Sequence, residues 1–111
     1  MPNQKPIYEH LKEIARAGQT TTYGDIAPML RLNMESQADR TEIGKILGEI
    51  STREHNDGRP MLSVVVVQSE TLYPGKGFFN LARELDLHHG EDDLAFFVKE
   101  LKKVHEYWKQ H

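Results

Sequence analysis

Hydrophobic and polar positions between residues 20 and 50 predict two helices joined by a polar connection. Thr22 can cap the first helix, because Asp25 stands three residues later and completes a Ser/Thr-x-x-Asp/Glu box. In such a box the cap hydroxyl and the acid each satisfy a free backbone N–H. This helix is short, since it is predicted to run from Tyr23 to about Leu30.

The second helix is predicted to begin near Arg40, after a connection over residues 31–39 that lacks apolar periodicity. Ser36 or Asp39 offers its cap. At 3.6 residues per turn its apolar residues form one narrow stripe, and small or polar residues occupy the opposite face. The stripe consists of Ile43, Ile46, Leu47 and Ile50, and the opposite face carries Thr41, Lys45, Gly48 and Thr52. A pair of this kind suits a helix-turn-helix whose second helix faces outward.

The polar face of the second helix has two interpretations. It is either an ordinary solvated surface or a surface that contacts another molecule. Gly48 is its unusual member, because a glycine inside a helix costs about 1 kcal/mol relative to alanine. Its presence indicates close approach of something, either another helix or a DNA backbone.

Three further elements are predicted outside this pair. A helix that begins at Pro6 and ends at Gly18 carries an apolar stripe of Ile7, Leu11, Ile14 and Ala15. The β-branched run Leu62–Gln68 predicts a buried strand. A loop over residues 69–77 then leads into a short helix, Phe78–Leu85, with Phe79 and Ala82 turned inward.

The last predicted helix spans Glu91–Gln110, with acids in its first turn where the helix dipole favours negative charge. Its apolar residues repeat at spacings of three and four, and they are Leu94, Phe97, Leu101, Val104 and Trp108. Phe96 lies about 100° from Phe97 around the helix. One face cannot bury all of these aromatic rings, so the helix is either enclosed on two sides within the chain or meets another chain.

Composition places the chain among globular proteins. Its 111 residues suit a single domain, and 38% hydrophobic with 28% charged residues is typical of a folded chain. The absence of cysteine excludes disulfides, thiolate metal sites and cysteine nucleophiles, and it fits a reducing, cytoplasmic location. The longest apolar run is the four valines Val64–Val67, so neither a signal peptide nor a membrane span is predicted.

The net charge of −3 opposes a nucleic-acid role, because DNA-binding modules gain affinity by neutralising phosphates. Residues 35–60 do not reverse the balance, since they hold four Lys or Arg against six Asp or Glu. Any contact with DNA must therefore depend on a few well-placed side chains.

Three stretches together resemble a known family. The string T-T-T-Y-G-D-I-A, the later I-G-K-I-L-G and R-P-M-L-S-V-V-V-V, and the P-G-K-G loop are similar to the winged-helix DNA-binding domain of the O6-alkylguanine-DNA alkyltransferases and the alkyltransferase-like proteins. The resemblance covers roughly residues 7–87, and it leaves the last helix outside the family pattern. It implies a mainly α fold with a small β element: a winged helix-turn-helix domain over residues 1–90, with an extra C-terminal helix over residues 91–111 packed on it as part of a single domain.

The resemblance also implies roles for single residues. Tyr23 matches the family tyrosine that presses on a DNA phosphate and helps rotate the target nucleotide out of the stack. The family's intercalating arginine corresponds to Thr41, and Arg40 is one residue away. With Thr22, Lys45, Gly48 and Thr52, these residues form the predicted DNA-binding surface.

The family's reactive Pro-Cys-His-Arg-Val motif is degenerate here, because the chain has Pro60-Met61-Leu62-Ser63-Val64. Alkyl transfer needs a thiolate made by a neighbouring base. Met61 stands at the cysteine position with no proton to lose, and Leu62 replaces the activating histidine. No catalytic residue and no enzyme activity are therefore expected.

Two other motifs suggest chemistry. Gly75-Lys76-Gly77 before a helix could form a phosphate loop through backbone N–H groups, although a plain turn explains it as well and the full G-x-x-x-x-G-K-S/T pattern of nucleotide hydrolases is absent. His88-His89 beside three acids suggests a metal site, but adjacent histidines point in different directions and helix capping explains the acids. Neither a metal nor a cofactor is expected.

Two functional hypotheses follow. The chain is either a non-enzymatic protein that binds double-stranded DNA and is related to DNA repair, or a protein-interaction module in which DNA binding has been lost. In the second case the C-terminal helix docks a protein partner or a second copy of the chain.

Overall fold

The computed structural model describes residues 4–111, and it is mainly helical with one small sheet. The helices are α1 (Lys5–Arg16), α2 (Tyr23–Ile26), α3 (Gln37–Asn56), α4 (Lys76–Glu84) and α5 (Asp93–Lys109), and the strands are β1 (Thr21–Thr22) and β2 (Val66–Val67). Two 3-10 segments, Ala27–Leu30 and Leu62–Val65, complete the regular structure. The predicted class, mainly α with a small β element, is confirmed.

The buried segment 61–67 lies at the centre of the fold. Every residue in it is buried, and its 3-10 part packs against α1, α3 and α5. The prediction that Leu62–Gln68 forms a strand is wrong, because only Val66–Val67 is extended and Gln68 is exposed. The predicted burial of the valines is correct, although three helices rather than neighbouring strands surround them.

Along this segment, side-chain oxygens accept backbone N–H groups that a neighbouring strand would otherwise pair. The N–H of Met61 donates to the buried Glu100 carboxylate at 2.9 Å, and the N–H of Ser63 donates to the Ser51 hydroxyl at 3.0 Å. The N–H of Val64 closes a tight turn onto the Met61 carbonyl at 3.1 Å. Buried backbone groups must find such partners, so the segment can stay inside without a long sheet.

The sheet consists of β1 and β2 in parallel, with Thr21 opposite Val66 and Thr22 opposite Val67. Residues 4–111 form no antiparallel hairpin, and the loop over residues 68–75 follows β2 instead. The sheet fixes the start of α2 against the buried segment. The winged helix-turn-helix assignment remains a prediction.

The paired helices begin close to their predicted positions. The Thr22 hydroxyl accepts the N–H of Asp25 at 3.1 Å and caps α2, which continues as the 3-10 segment. Ser36 is the cap of the second helix, so α3 begins at Gln37, three residues before the predicted start. Helix α3 also continues to Asn56, because its buried face extends past Ile50 to Glu54.

Helix α5 is enclosed on two sides by its own chain. Phe96 packs against Phe78 of α4 with ring centroids 6.0 Å apart, and Trp108 packs edge-on against Tyr8 of α1 at 6.5 Å. Phe97 is buried as well and contacts Tyr73. The aromatic rings therefore need no second chain to cover them.

Helix α5 starts at Asp93 and not at Glu91, and its predicted apolar stripe is wrong at one position. Leu94 is 52% exposed and forms an exposed pair with Val98, which is 56% exposed. Phe96 takes the buried place in the first turns instead. Within residues 4–111, no helix combines the length and the apolar character that crossing a membrane would require.

Substitution of Glu100 tests how much its hydrogen bond to the buried segment contributes to stability. We expect Glu100→Ala to lower the free energy of unfolding by about 1–3 kcal/mol, because it leaves the buried N–H of Met61 without an acceptor. Glu100→Gln keeps an acceptor oxygen and should lose less. Urea denaturation measures both, with Glu106→Ala on the exposed side of α5 as the control. Equal stability of Glu100→Ala and Glu106→Ala would contradict this role.

Candidate nucleic-acid interface

A cleft of about 350 Å³ separates α3 from the first half of α4. It brings together seven of the residues predicted from sequence, namely Tyr23, Arg40, Thr41, Gly48, Ser63, Gly75 and Gly77. Leu47, Phe78 and Leu81 supply apolar walls. Its volume lies within the range of about 300–1,000 Å³ that small-molecule sites occupy, so the cleft can enclose one flat ring system.

Tyr23 lies at the end of the cleft with its hydroxyl fixed. The hydroxyl accepts the N–H of Gly75 at 3.1 Å, and a Cβ on Gly75 would stand only 3.3 Å from that oxygen. Burial raises the pKa of Tyr23, while the bond from Gly75 opposes this rise. The phenol is therefore protonated at neutral pH, and its own hydrogen can be donated to an incoming acceptor.

The predicted polar face of α3 is present, and its hydroxyls bond to their own helix. Thr41 donates to the Gln37 carbonyl at 3.1 Å, and Thr52 donates to the Gly48 carbonyl at 2.8 Å. Lys45 is exposed and forms no ion pair within residues 4–111. Lys45 is thus a cation on this face whose charge is not held in an ion pair.

Arg40 stands at the rim of the cleft and not on the outer face. Its guanidinium donates to the Met34 carbonyl at 2.8 Å and to the Gln37 side-chain oxygen at 2.7 Å. Both acceptors are neutral, so its positive charge remains uncompensated by these bonds. The bonds hold it against the connection that precedes α3.

Two glycines of α3 face the cleft, and they differ in what lies beside them. A Cβ on Gly48 would meet Leu81 of α4 at 3.7 Å, which is ordinary contact, so the neighbour that approaches Gly48 is a helix of the same chain. A Cβ on Gly44 would meet nothing within 4 Å. Gly44 was missed as a site residue, although an interior helical glycine with no packing reason is itself a sequence signal.

The degenerate reactive motif is mostly core. Met61 and Leu62 are fully buried and do not line the cleft, while Pro60 is partly buried. Ser63 is the member of the motif that lines the cleft. The Met61 thioether is therefore sealed away from the space that a substrate would occupy.

The Gly75-Lys76-Gly77 segment forms the start of α4, with Gly75 as its cap residue. The N–H of Gly75 already donates to Tyr23, which removes one donor from the predicted phosphate loop. Lys76 and Gly77 lie in the first turn, and both are exposed. Phosphate binding here stays a prediction.

Three acidic side chains in or near α3 are held in internal contacts. Glu54 is 1% exposed and pairs with Arg59, which also bonds to Asp57 at 3.0 Å. Glu54 also acts on the neighbouring Tyr8: burial raises the pKa of Tyr8, and the hydrogen bond to Glu54 adds to this rise, which reaches about 12. Asp39 accepts the N–H of Asn33 at 2.8 Å. These contacts hold the three carboxylates away from Lys45, whereas Glu42 and Glu49, three residues before it and four after it on α3, remain acids on the same face.

No protein family, curated protein or solved structure that was compared with this chain matches it.

A second polar cluster is centred on His88, whose ring is buried and stacks on Phe96 with centroids 4.6 Å apart. One ring nitrogen bonds to Glu91 and the other to Asp93, each at 2.7 Å, and Arg83 bonds to the same Asp93 oxygen at 2.7 Å. The hydrogen bond to Asp93 raises the pKa of His88, with a smaller contribution from Glu91, against the effects of burial and of the Arg83 charge.

This cluster corrects the interpretation of the acids around residue 92. The carboxylates of Glu91 and Asp93 bind His88, and Asp92 occupies the cap position without a side-chain hydrogen bond. The exposed His89 points elsewhere. In the part of the chain that the structure describes, no group of three or more His, Asp or Glu side chains is arranged to hold a metal ion.

We expect the stability that His88 provides to depend on pH. Because its folded-state pKa is raised, its contribution is complete below the unfolded value of about 6.5 and is lost as the pH rises through the folded value. The difference in Tm between the wild type and His88→Gln should therefore shrink from about pH 5.5 to about pH 9. His89→Gln is the control, since its ring is exposed. A pH-independent difference would show that the charge of His88 is unimportant.

Proposed function

We propose that this chain is a non-enzymatic DNA-binding protein that lays the outer face of α3 on a duplex and receives an extruded nucleotide in the cleft between α3 and α4. In this proposal α2 and α3 form a helix-turn-helix, and the loop over residues 68–75 takes the place of the wing. The observation that carries the proposal is the gathering of the separately predicted residues around one apolar cleft.

The geometry supports separate roles for the polar and the apolar residues of the site. Lys45 contacts phosphate from the outer face, and the Tyr23 hydroxyl donates to a phosphate beside the extruded nucleotide. The apolar walls from Leu47, Phe78 and Leu81 cover the base. Extrusion costs a few kcal/mol, and stacking and burial of the base against these walls can offset this cost.

No alkyl transfer accompanies binding in this proposal. The thioether at Met61 has no proton to lose, and burial separates it from the cleft. The chain has no cysteine that could act in its place. The protein therefore binds and releases DNA without changing it.

Fluorescence anisotropy with labelled duplexes, plain and carrying an O6-alkylguanine, tests the proposal. At about 50 mM salt we expect micromolar or tighter binding, and at about 200 mM a clear loss of affinity. Lys45→Ala should weaken binding to all duplexes and reduce the salt slope by about 1. Lys102→Ala, which removes the same charge at an exposed position of α5, is the control. Absence of binding at the lower salt would refute the proposal.

Substitution of Gly44 should affect DNA binding and stability in opposite directions. Gly44→Ala should raise the free energy of unfolding by about 0.5–1 kcal/mol, because alanine favours the helix and its Cβ meets no atom. The same methyl group projects into the occupied cleft, and overpacking of about 1–3 kcal/mol should weaken DNA binding about tenfold or more. Thermal unfolding and anisotropy measure the two effects.

The matched control is Gly24→Ala, the same substitution in α2 at a position that does not line the cleft. A Gly44→Ala protein that is more stable and binds DNA as tightly as the wild type would show that the cleft is not used.

A protein-interaction module is the second candidate, and one observation favours it. Leu94 and Val98 form an exposed apolar pair one turn apart on α5. If this pair joins two copies of the chain, sedimentation equilibrium should show a concentration-dependent dimer that the double variant Leu94→Lys/Val98→Lys abolishes. Met29→Lys, at another exposed apolar residue, should leave the dimer intact. A monomer at all concentrations would contradict this candidate.

A further inference from the structure

Ser63 is the polar side chain that the buried segment presents to the cleft. It is 6% exposed and lines the cleft, whereas Met61 and Leu62 beside it are fully buried. Its position is fixed, because the 3-10 segment is held between α1, α3 and α5. A hydroxyl that is held so firmly is suited to selecting a ligand rather than adapting to it.

The hydrogen bonds around Ser63 leave one proton to be donated. Ser51 accepts the N–H of Ser63 at 3.0 Å, and the Ser51 hydroxyl donates its single proton to the Ser63 oxygen at 2.6 Å. The opposite direction would leave the Ser51 proton without an acceptor, since the described residues offer it no other oxygen. The Ser63 hydroxyl thus accepts from Ser51 and keeps its own proton.

That proton has no acceptor within residues 4–111, and the surroundings of the cleft are largely apolar. A ligand that displaces water from the cleft must accept this hydrogen, or it leaves a buried donor unpaired. We propose that Ser63 is a specificity-determining residue of the cleft. Its hydroxyl donates to an oxygen or nitrogen lone pair on the inner edge of the bound nucleobase.

This inference rests on the proposed function, because the ligand is taken to be an extruded base. It goes further by stating which bases fit: those that carry an acceptor where Ser63 reaches them. A base that lacks this atom should bind about tenfold more weakly, because one hydrogen bond is not made where the base covers a partly buried donor. An apolar cleft alone would distinguish bases by size and shape only.

The experiment uses duplexes with one mismatched guanine, since a mismatch lowers the cost of extrusion. Three analogues each lack one acceptor of guanine: 2-aminopurine lacks O6 and has an unprotonated N1 in place of the N1–H donor, 7-deazaguanine lacks N7, and 3-deazaguanine lacks N3. For the wild type, we expect one analogue to bind about tenfold more weakly than guanine. Ser63→Ala should bind guanine as weakly as the wild type binds that analogue, and it should no longer distinguish the two.

Ser51→Ala tests the orientation of this hydroxyl. It keeps the Ser63 hydroxyl but removes the group that directs its proton, so it should reduce the discrimination without abolishing it. Ser63→Thr also retains a hydroxyl and should restore it. Circular dichroism at each step establishes that the variants are folded.

The outcomes distinguish the role of Ser63 from DNA binding itself. Duplex binding without discrimination among the analogues, or equal discrimination by Ser63→Ala and the wild type, would overturn the role of Ser63 and leave DNA binding intact. Absence of duplex binding would overturn the proposed function and this inference with it. If Ser63→Ala does not fold, the wild-type series alone still decides, because uniform binding of all four bases would refute the inference.

Discussion

The structure depends on how one buried segment satisfies its backbone. Residues 61–67 are enclosed by helices, and only the last two have a strand partner. Glu100 and Ser51 therefore accept N–H groups that a longer sheet would otherwise pair. Because each acceptor belongs to a different helix, these bonds fix the positions of α3 and α5 relative to the segment. Loss of an acceptor would leave a polar group unpaired where water cannot replace it.

The same arrangement shapes the candidate site. The Ser51 hydroxyl accepts the N–H of Ser63 and donates to the Ser63 hydroxyl. The same side chain therefore stabilises the buried segment and orients the hydroxyl that we propose to contact the ligand. The cleft forms where α4 meets α3 near Leu81 and leaves Gly44 uncovered. Helix α4 is in turn placed by aromatic contacts with α5. The C-terminal helix, which the sequence resemblance does not cover, thus holds one wall of the cleft.

Charge in this protein is a local property. The region around α3 carries more acids than bases, but buried or bonded carboxylates such as Glu54 and Asp39 do not face the surface that Lys45 occupies. A net charge of −3 therefore limits long-range attraction to DNA without excluding contact at this face. His88 shows the same principle inside the chain, since two acids hold its ring between α4 and α5.

The sequence by itself determined which segments are helical, because periodicity at 3.6 residues and a cap such as Thr22 are local properties that need no tertiary contact. It left Ser36 and Asp39 as alternative caps of α3, and the structure decided for Ser36. The sequence also determined the burial of the apolar stripe of α3 and of the valine run, but not that of Ser51 and Glu54, whose polar side chains are buried only because other elements supply their partners. Only the tertiary structure decided that the valine run is mostly 3-10, since burial of a short apolar stretch is compatible with either conformation until its neighbours are known. It likewise decided that Phe96 is buried in place of Leu94 and that Gly44 faces an open cleft, because each depends on where another helix lies.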